Sequence, residues 1–479
     1  HQVEHMVFSY SDLFGTSPII SIAVTALVAL LVKSVMQKGE NVIIAVSVVG
    51  IFISMFFTVA TFSASTTAFS DMVLVGGYAS FFDLLFLMVG LLTILLSESY
   101  LAKEQIHFGE YYVLVLFAIA GMMMMASSAD LITLFLGIEL MSVCFYVLAG
   151  FMRGNVQSNE AALKYFLLGA FATGFLLYGI ALIYGSTGTT NLLRIATQPA
   201  NATSRPWYAL GFGLVLVGFA FKVAAVPFHM WVPDVYEGSP TTVSGFMSTG
   251  GKAAAFSAFI LVFSIPMAQH DQRFAFILAV LAAGSMILGN LFGLAQKNLK
   301  RMLAYSSIAH AGYMLIGIAS GQSLGQQGIL FYLVSYAFTN LGAFGVLSVL
   351  EKEAGKNISY EDYAGLGTRK PVLAALLSMF MFSLTGIPPF AGFVGKYYLF
   401  ASAVQADLTW LAILGVVTSL ISAYYYLRVV VFMYFKEAGT SEEIRIPRLA
   451  FISLVISGFG IVLLGILPSL ILDVTRLLF

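Results

Sequence analysis

Fourteen apolar stretches, each close to the length of a bilayer-crossing helix, run in series along this chain. They lie near residues 17–36, 42–63, 80–97, 111–127, 130–150, 162–184, 208–231, 240–264, 272–294, 302–320, 327–350, 372–402, 408–434 and 449–475. About 20 apolar residues in a helix cover the roughly 30 Å hydrocarbon layer of a bilayer. Inside that layer every backbone N–H and C=O must find its partner within the protein. The chain is therefore expected to fold as an all-α integral membrane protein with about fourteen transmembrane helices. Composition agrees, because 59% hydrophobic against 10% charged residues cannot clothe a soluble globule of 479 residues. The connections are too short for a soluble domain, so residues 1–479 read as one membrane domain.

The connections also set the orientation, since Lys and Arg concentrate on the cytoplasmic side of a membrane protein. Odd-numbered connections carry fifteen of them: Lys33, Lys38, Lys103, Arg153, Lys164, Lys297, Lys300, Arg301, Lys352, Lys356, Arg369, Lys370, Lys436, Arg445 and Arg448. Even-numbered connections carry only Arg194, Arg205 and Arg273. Odd connections are thus expected to face the cytoplasm, stroma or matrix, and both termini the opposite side. The start at HQVEH rather than Met reads as a mature or trimmed end. Acidic and basic residues balance at 23 each, which leaves no basic field for nucleic acid. Cys144 stands alone, which excludes a disulfide framework and any site held by several cysteines.

Four basic residues fall in the interior of the stretches, away from their ends: Lys222, Lys252, Lys396 and Arg428. A cation at mid-bilayer costs at least about 2.5–3.5 kcal/mol, and such residues mark ion or proton pathways. Stretches seven and twelve add prolines, Pro227 in AAVPFHMWVP and Pro388–Pro389 in SLTGIPPFAGF. Proline removes a backbone donor, so both helices should be broken near mid-membrane. They lie five helices apart, and an odd offset reverses direction. Two inverted five-helix repeats follow, helices 4–8 (111–264) and 9–13 (272–434), after N-terminal helices 1–3 (1–110) and before a C-terminal helix (449–479). Paired broken helices in inverted repeats point to a transport site, the plainer reading being two ordinary kinks.

Glu139 is the one acid in the interior of the fifth stretch, nine residues beyond Asp130. Facing Lys222, it would form either a static salt bridge or a proton switch, because pairing holds both groups charged and separation discharges them. His310 lies in the tenth stretch, between Lys252 and Lys396 in chain order, where it would serve as a proton relay or as a packing residue. His229 follows the Pro227 break and is the weaker candidate. Asp234 and Glu237, in WVPDVYEG, belong at the mouth of the broken helix on the odd-connection side, and Arg428 either snorkels or meets a neighbouring subunit. The run from Gly245 to Ala253 imitates a phosphate loop. It has the wrong spacing, no preceding strand and Ala253 where a hydroxyl is required.

Together, GIEL (137–140), ALKYF (162–166), GFAFKVAAVPFHMWVPDVYEGSPT (218–241), STGGKAA (248–254), NLKRMLAYSSIAHAGY (298–313), SLTGIPPFAGFVGKYY (383–398) and YYYLRV (424–429) resemble the antiporter-like membrane subunits of complex I. Among them the chain is most similar to the branch containing subunit N and mitochondrial subunit 2. Lys396 stands where M-type subunits carry a glutamate, and the long lateral helix of L-type subunits is missing. The resemblance implies a proton-translocating module of NADH:quinone oxidoreductase. Glu139 and Lys222 would be its coupling pair, Lys252 the central relay, Lys396 the terminal lysine, and His310 would lie on the axis between the last two. It further implies that NADH, FMN, iron–sulfur clusters and quinone belong to partner subunits, with no cofactor or metal in this chain. Its partners would be neighbouring antiporter-like and small membrane subunits and the lipid bilayer. A bacterial inner membrane is expected, with termini on the periplasmic side, ahead of a thylakoid or mitochondrial one. Rival readings are a subunit of a multi-subunit cation/proton antiporter, a ferredoxin- or hydrogenase-linked relative, and a passive scaffold.

Overall fold

The structure of the protein, a computed structural model, describes residues 9–36, 39–106, 108–197, 203–268, 272–351, 358–437 and 445–478, with the side chains of 266–268 left aside. The HQVEH start and three of the orienting cations, Lys38, Lys352 and Lys356, lie outside the described residues. Helices follow one another as α1 (Tyr10–Gly15), α2 (Ser17–Val35), α3 (Glu40–Thr61), α4 (Gly77–Lys103), α5 (Glu110–Ala126), α6 (Leu131–Ala149), α7 (Val156–Thr187), α8 (Leu192–Thr197), α9 (Arg205–Val223), α10 (Trp231–Gly238) and α11 (Thr241–Phe246). After a π-helical turn (Met247–Gly251) come α12 (Lys252–Ala268), α13 (Gln272–Leu294), α14 (Leu299–Ala319), α15 (Ser323–Leu350), α16 (Leu366–Arg369), α17 (Pro371–Thr385), α18 (Ala391–Gln405), α19 (Thr409–Phe435), α20 (Arg448–Ile466) and α21 (Ser469–Arg476).

Among the described residues twelve helices are long and apolar enough to cross a membrane, and α5 and α17 are shorter apolar helices. The count by length falls below fourteen for two reasons. The fourth stretch makes a helix of only 17 residues, and the twelfth is interrupted, giving α17 and α18. One departure from an all-helical chain is an antiparallel hairpin, β1 (Thr66–Ala68) with β2 (Val73–Val75), in the second connection.

Side-chain caps start several helices: Asp130 accepts from Ile132 N–H on α6, Asn155 from Gln157 N–H on α7 and Asn298 from Lys300 N–H on α14, each at 2.8 Å. Small residues bring helices together, as expected where lipid offers no hydrophobic drive to pack. A Cβ at Gly121 on α5 would lie 2.6 Å from Met141 N on α6. One at Gly289 on α13 would lie 2.6 Å from Ala309 N on α14. The same close approach thus recurs in both proposed repeats. At the centre, 94% of the apolar window is buried in both the α11–α12 span and α14, against 28% in α2. The buried lysines and His310 fall on those central helices and on the two broken ones.

Both breaks exist and share a backbone. The first halves end at Ala224 (φ 64°) and Gly386 (φ 88°), whose N–H groups return to Ala220 and Phe221 and to Phe382 and Ser383. A cis prolyl bond follows in each, Val226–Pro227 and Pro388–Pro389, and then Phe228 and Phe390 N–H close onto Ala225 and Ile387. The polar groups released by the first break find partners: Ser285 on α13 accepts Val226 N–H at 2.9 Å, and Trp231 Nε1 donates to Phe221 O at 3.1 Å.

Candidate functional site: a buried lysine row

Lys222 lies in the last turn of α9, buried, where the helix's free carbonyl end favours a cation. Its ammonium donates to Ser142 Oγ on α6 at 2.7 Å and lies 5.9 Å from the Phe221 ring centroid and 6.0 Å from that of Tyr146. Lys252 opens α12 directly after the π-helical turn, in the stretch that imitates a phosphate loop. Neighbouring side chains pressed against the turn explain the glycines there, since a Cβ at Gly251 would meet the Phe145 ring at 2.6 Å and one at Gly250 would meet Met122 Sδ at 3.1 Å. The Lys252 ammonium donates to Ser307 O on α14 and stands 6.0 Å from the Tyr336 ring centroid.

His310 lies three residues beyond Ser307 on α14. Its ring centroid is 5.2 Å from that of Tyr336, on the Lys252 side, and 5.5 Å from that of Tyr313. Both its nitrogens are engaged by tyrosine hydroxyls, Nδ1 by Tyr332 and Nε2 by Tyr426 at 2.9 Å. Tyr313 leads on to Lys396, whose ammonium is 5.0 Å from its ring centroid. Lys396 reaches back from α18 across the break, donating to Leu384 O (2.8 Å), Thr385 O (3.0 Å) and Ser419 Oγ (2.7 Å). Those two carbonyls are among the ones left open at the end of α17, so the lysine caps the broken helix. The result is a continuous row, Lys252, Tyr336, His310, Tyr313, Lys396, made of groups that carry, accept or donate protons.

The family described as "NADH:quinone oxidoreductase/Mrp antiporter, TM" matches residues 128–422, which contain every member of this row. This chain belongs to that family. A protein named NADH-quinone oxidoreductase subunit N from Trichlorobacter lovleyi is 48% identical over 98% of this chain and 97% of its own length. A chain of respiratory complex I from Thermus thermophilus, solved with bound aureothin, is 39% identical, with a TM-score of 0.82 over 95% of this chain and 98% of that one. An Mrp complex from Dietzia sp. DQ12-45-1b shares the fold alone, at 20% identity and a TM-score of 0.83 over 97% of each chain.

In this family member one expected contact is absent. Glu139 and Lys222 make no direct ion pair: the Glu139 carboxylate accepts from Thr173 Oγ1 on α7 at 2.8 Å, while Lys222 is held by Ser142. Glu139 and Ser142 are neighbours one helical turn apart on α6, so the two sites adjoin: Glu139, half-buried, takes its hydrogen bond from α7, while Ser142 takes the one from the lysine of α9. His229 sits half-buried in the first break, outside the lysine row. Arg428 is half-buried with its guanidinium 4.3 Å from the ring centroid of Tyr360, which belongs to the connection between α15 and α17.

Asp234 and Glu237 do sit at the end of the first broken helix, but as part of a charge network built with residues that sequence counting had assigned to connections. Arg301 on α14 donates to Asp234 at 2.7 Å and Glu237 at 2.8 Å, and Lys164 on α7 bridges Asp234 (2.8 Å) and Glu160 (2.7 Å). A polar pocket of about 160 Å³ opens beside it, lined by Lys164, Asp234 and Glu237 among others. Further buried acidic and basic residues near stretch ends carry no signal in the sequence, among them Asp83 on α4, Lys300 on α14 and Glu351 at the end of α15. Among the described residues no three His, Cys, Asp or Glu side chains gather as a metal site.

Proposed function

We propose that this chain is the proton-translocating, subunit-N-type membrane subunit of NADH:quinone oxidoreductase. In this reading it converts energy released by quinone reduction in partner subunits into proton movement through the buried row. The observation that carries it is the placement of His310 between two buried ammonium groups, Lys252 and Lys396, through tyrosine rings on either side. Glu139 and Lys222 form the coupling end, with Ser142 and Thr173 as the ligands they exchange for one another when they pair. Lys252 is the central relay and Lys396 the terminal one. NADH, FMN, the iron–sulfur clusters and quinone reside on partner subunits. The membrane is a bacterial inner membrane, with the termini on the periplasmic side.

Energetically the step is accessible. Moving one charge through 100 mV takes about 2.3 kcal/mol, which matches a change of under two pKa units at about 1.36 kcal/mol each. Making or breaking one buried ion pair changes a lysine's proton affinity by that much.

The test is Lys222→Met in the assembled complex, reconstituted in vesicles. Proton pumping should fall by roughly 10²-fold or more, a loss on the scale of a positioned proton-transfer group. Glu139→Gln should lower both pumping and coupled quinone reduction. Wild-type pumping in both variants, with the complex intact, would leave only a passive scaffold.

A further inference from the structure

Glu351 is buried although it ends α15 beside an odd-numbered connection. Its carboxylate accepts a hydrogen bond from Thr241 Oγ1, at the start of α11. Deeper in the membrane the two helices meet again through polar groups, Asn340 Nδ2 donating to Ser248 Oγ at 2.7 Å. Between these two rungs Gly245 faces Phe344, and a Cβ added to the glycine would lie 3.1 Å from Phe344 Cβ. Helical periodicity places 351, 348, 344 and 340 on one face of α15, and 241 and 245 on one face of α11. Past the π-helical turn, Lys252 reaches the same helix, its ammonium 6.0 Å from the ring centroid of Tyr336 on α15. Thr241, Ser248, Asn340, Phe344, Glu351 and Lys252 are all at most 2% exposed.

Paired polar groups of this kind hold membrane helices together, whereas a buried polar group left without a partner costs free energy and calls for another explanation. Here the inner end is under-satisfied. Asn340 Oδ1, Tyr336 Oη and Ser307 Oγ are buried without a hydrogen bond of good geometry, and Ser307 faces both Tyr336 and Tyr236. Groups of this kind hold ordered water in folded proteins. At the outer end Glu351 faces Lys103 and Tyr100 on α4, Lys300 on α14, and Tyr363; Glu104 faces the same two lysines and Glu237 faces Lys300. Lys103 fastens the end of α15 by donating to the carbonyls of Ser348 (2.9 Å) and Glu351, and Lys300 donates to Ser239 O at 2.7 Å.

We infer that this seam is the route by which Lys252 receives its proton, with Glu351 as the internal donor and Phe344 as the gate between the two polar rungs. The inference rests on the proton-translocation reading and adds the supply side to it. The carboxylic acid of Glu351 gives up its proton past Thr241. The Phe344 ring, packed 6.3 Å from Tyr236 between centroids, turns aside. The proton crosses the Ser248 and Asn340 rung with its water and binds the neutral Lys252 amine, which becomes an ammonium. The carboxylate left behind is reprotonated from the odd-connection side, flanked by Lys103 and Lys300.

The experiment uses the whole complex in vesicles, with subunit content checked in parallel. Glu351→Gln preserves the side chain's size and its acceptor for Thr241 while removing the proton carrier. Pumping should fall about tenfold or more, since positioned proton-transfer groups contribute about 10²–10⁴-fold, and Glu351→Asp should recover most of it. Asn340→Leu, which breaks the inner rung and leaves Glu351 with its lysines, should slow pumping as well. Phe344→Ala should raise passive proton leak through the resting complex. Equal losses in Glu351→Gln and Glu351→Asp would assign Glu351 a structural role and overturn the inference. So would wild-type pumping in Glu351→Gln and Asn340→Leu while Lys252→Met is inactive, and in that case the proton-translocation reading stands. Wild-type pumping in Lys252→Met removes both.

Discussion

The two broken helices share one backbone and hold opposite charges at the same register. Asp234 stands as far beyond the left-handed residue Ala224 as Lys396 stands beyond Gly386. Asp234 is about one-third exposed, ion-paired to Lys164 and Arg301, and borders the small polar pocket. Lys396 is buried, turned back onto the carbonyls of its own broken helix, and lies at the side of an apolar cavity of about 740 Å³ between α18 and α19. The break therefore supplies free backbone groups at mid-membrane in both halves, and the local side chains decide their use. In the first half Trp231 and Ser285 satisfy them and Lys222 is left to bond a hydroxyl on α6. In the second half the lysine satisfies them itself. Lys222 can exchange one side-chain partner for another, whereas Lys396 must uncap a helix to move.

The largest expected effect concerns the left-handed residue itself. Gly386→Ala places a Cβ at φ 88°, 3.1 Å from Lys396 Cδ, and a non-glycine residue in that region costs about 1–2 kcal/mol. The reverse change, Ala224→Gly, relieves such a cost and adds about 0.4–1 kcal/mol of unfolded-chain entropy, so its net effect should be small. Amide exchange in the assembled complex should show α17 and α18 loosened by Gly386→Ala and α9 and α10 nearly unchanged by Ala224→Gly. Equal loosening in both would mean the two breaks are held in the same way.

The spans, the breaks and the lysines were legible for one physical reason: cations and prolines are rare in apolar helices, so each stands out against its neighbours. Residues near stretch ends carry no such contrast. Lys300, Arg301 and Lys164 read as ordinary connection charges and Glu351 carries no signal at all, yet Lys300 and Glu351 are buried and Arg301 ties α14 to α10. The Glu139 and Lys222 pair was a sound match of charge, but direct contact does not follow from it. Glu139 lies one helical turn from Ser142, the residue Lys222 bonds, and charge matching does not report which of two neighbouring groups a side chain takes. The tyrosines that bridge His310 to its neighbours lie on α14 and α15, where aromatic residues are common and their roles appear only on packing. The π-helical turn before Lys252 likewise has no composition signal beyond its two glycines.

A second, smaller effect tests whether the first break depends on its charge network. α10 has only eight residues and is pinned through Asp234 and Glu237 to Arg301. These side chains are about one-third exposed, so each pair contributes about 0.2–1 kcal/mol. Arg301→Gln should speed amide exchange in α10 by about fivefold, as a change near 1 kcal/mol predicts, and leave α18 unaffected. High salt should produce part of the same change in the wild-type protein. A wild-type exchange rate in the variant would show that Trp231, stacked on Tyr165 at 4.4 Å between centroids, holds α10 without help.

The smallest expected effect lies at the other end of the first repeat. The hairpin closes over the α5–α6 connection through Leu74 N–H to Ser127 O, and Asn191 Nδ2 donates to Asp71 O beside it. Its turn residues Phe69, Ser70 and Asp71 are left-handed, and Asp12 Oδ1 accepts Phe69 N–H at 3.1 Å. That bond, with two from Ser9, holds the Asp12 carboxyl below its ordinary value of 3.8. A lowered folded-state value means the tie is fully present above the ordinary carboxylate range and is lost as pH falls through the folded-state value. Wild-type exchange at Phe69 should thus rise only in acid, whereas Asp12→Asn should raise it slightly at neutral pH. In neither case should α10 respond. An α10 amide that sped up with the hairpin would show that the two ends of the first repeat move together, and the contrast between an open α10 end and a closed α18 end would then belong to the whole repeat rather than to its break.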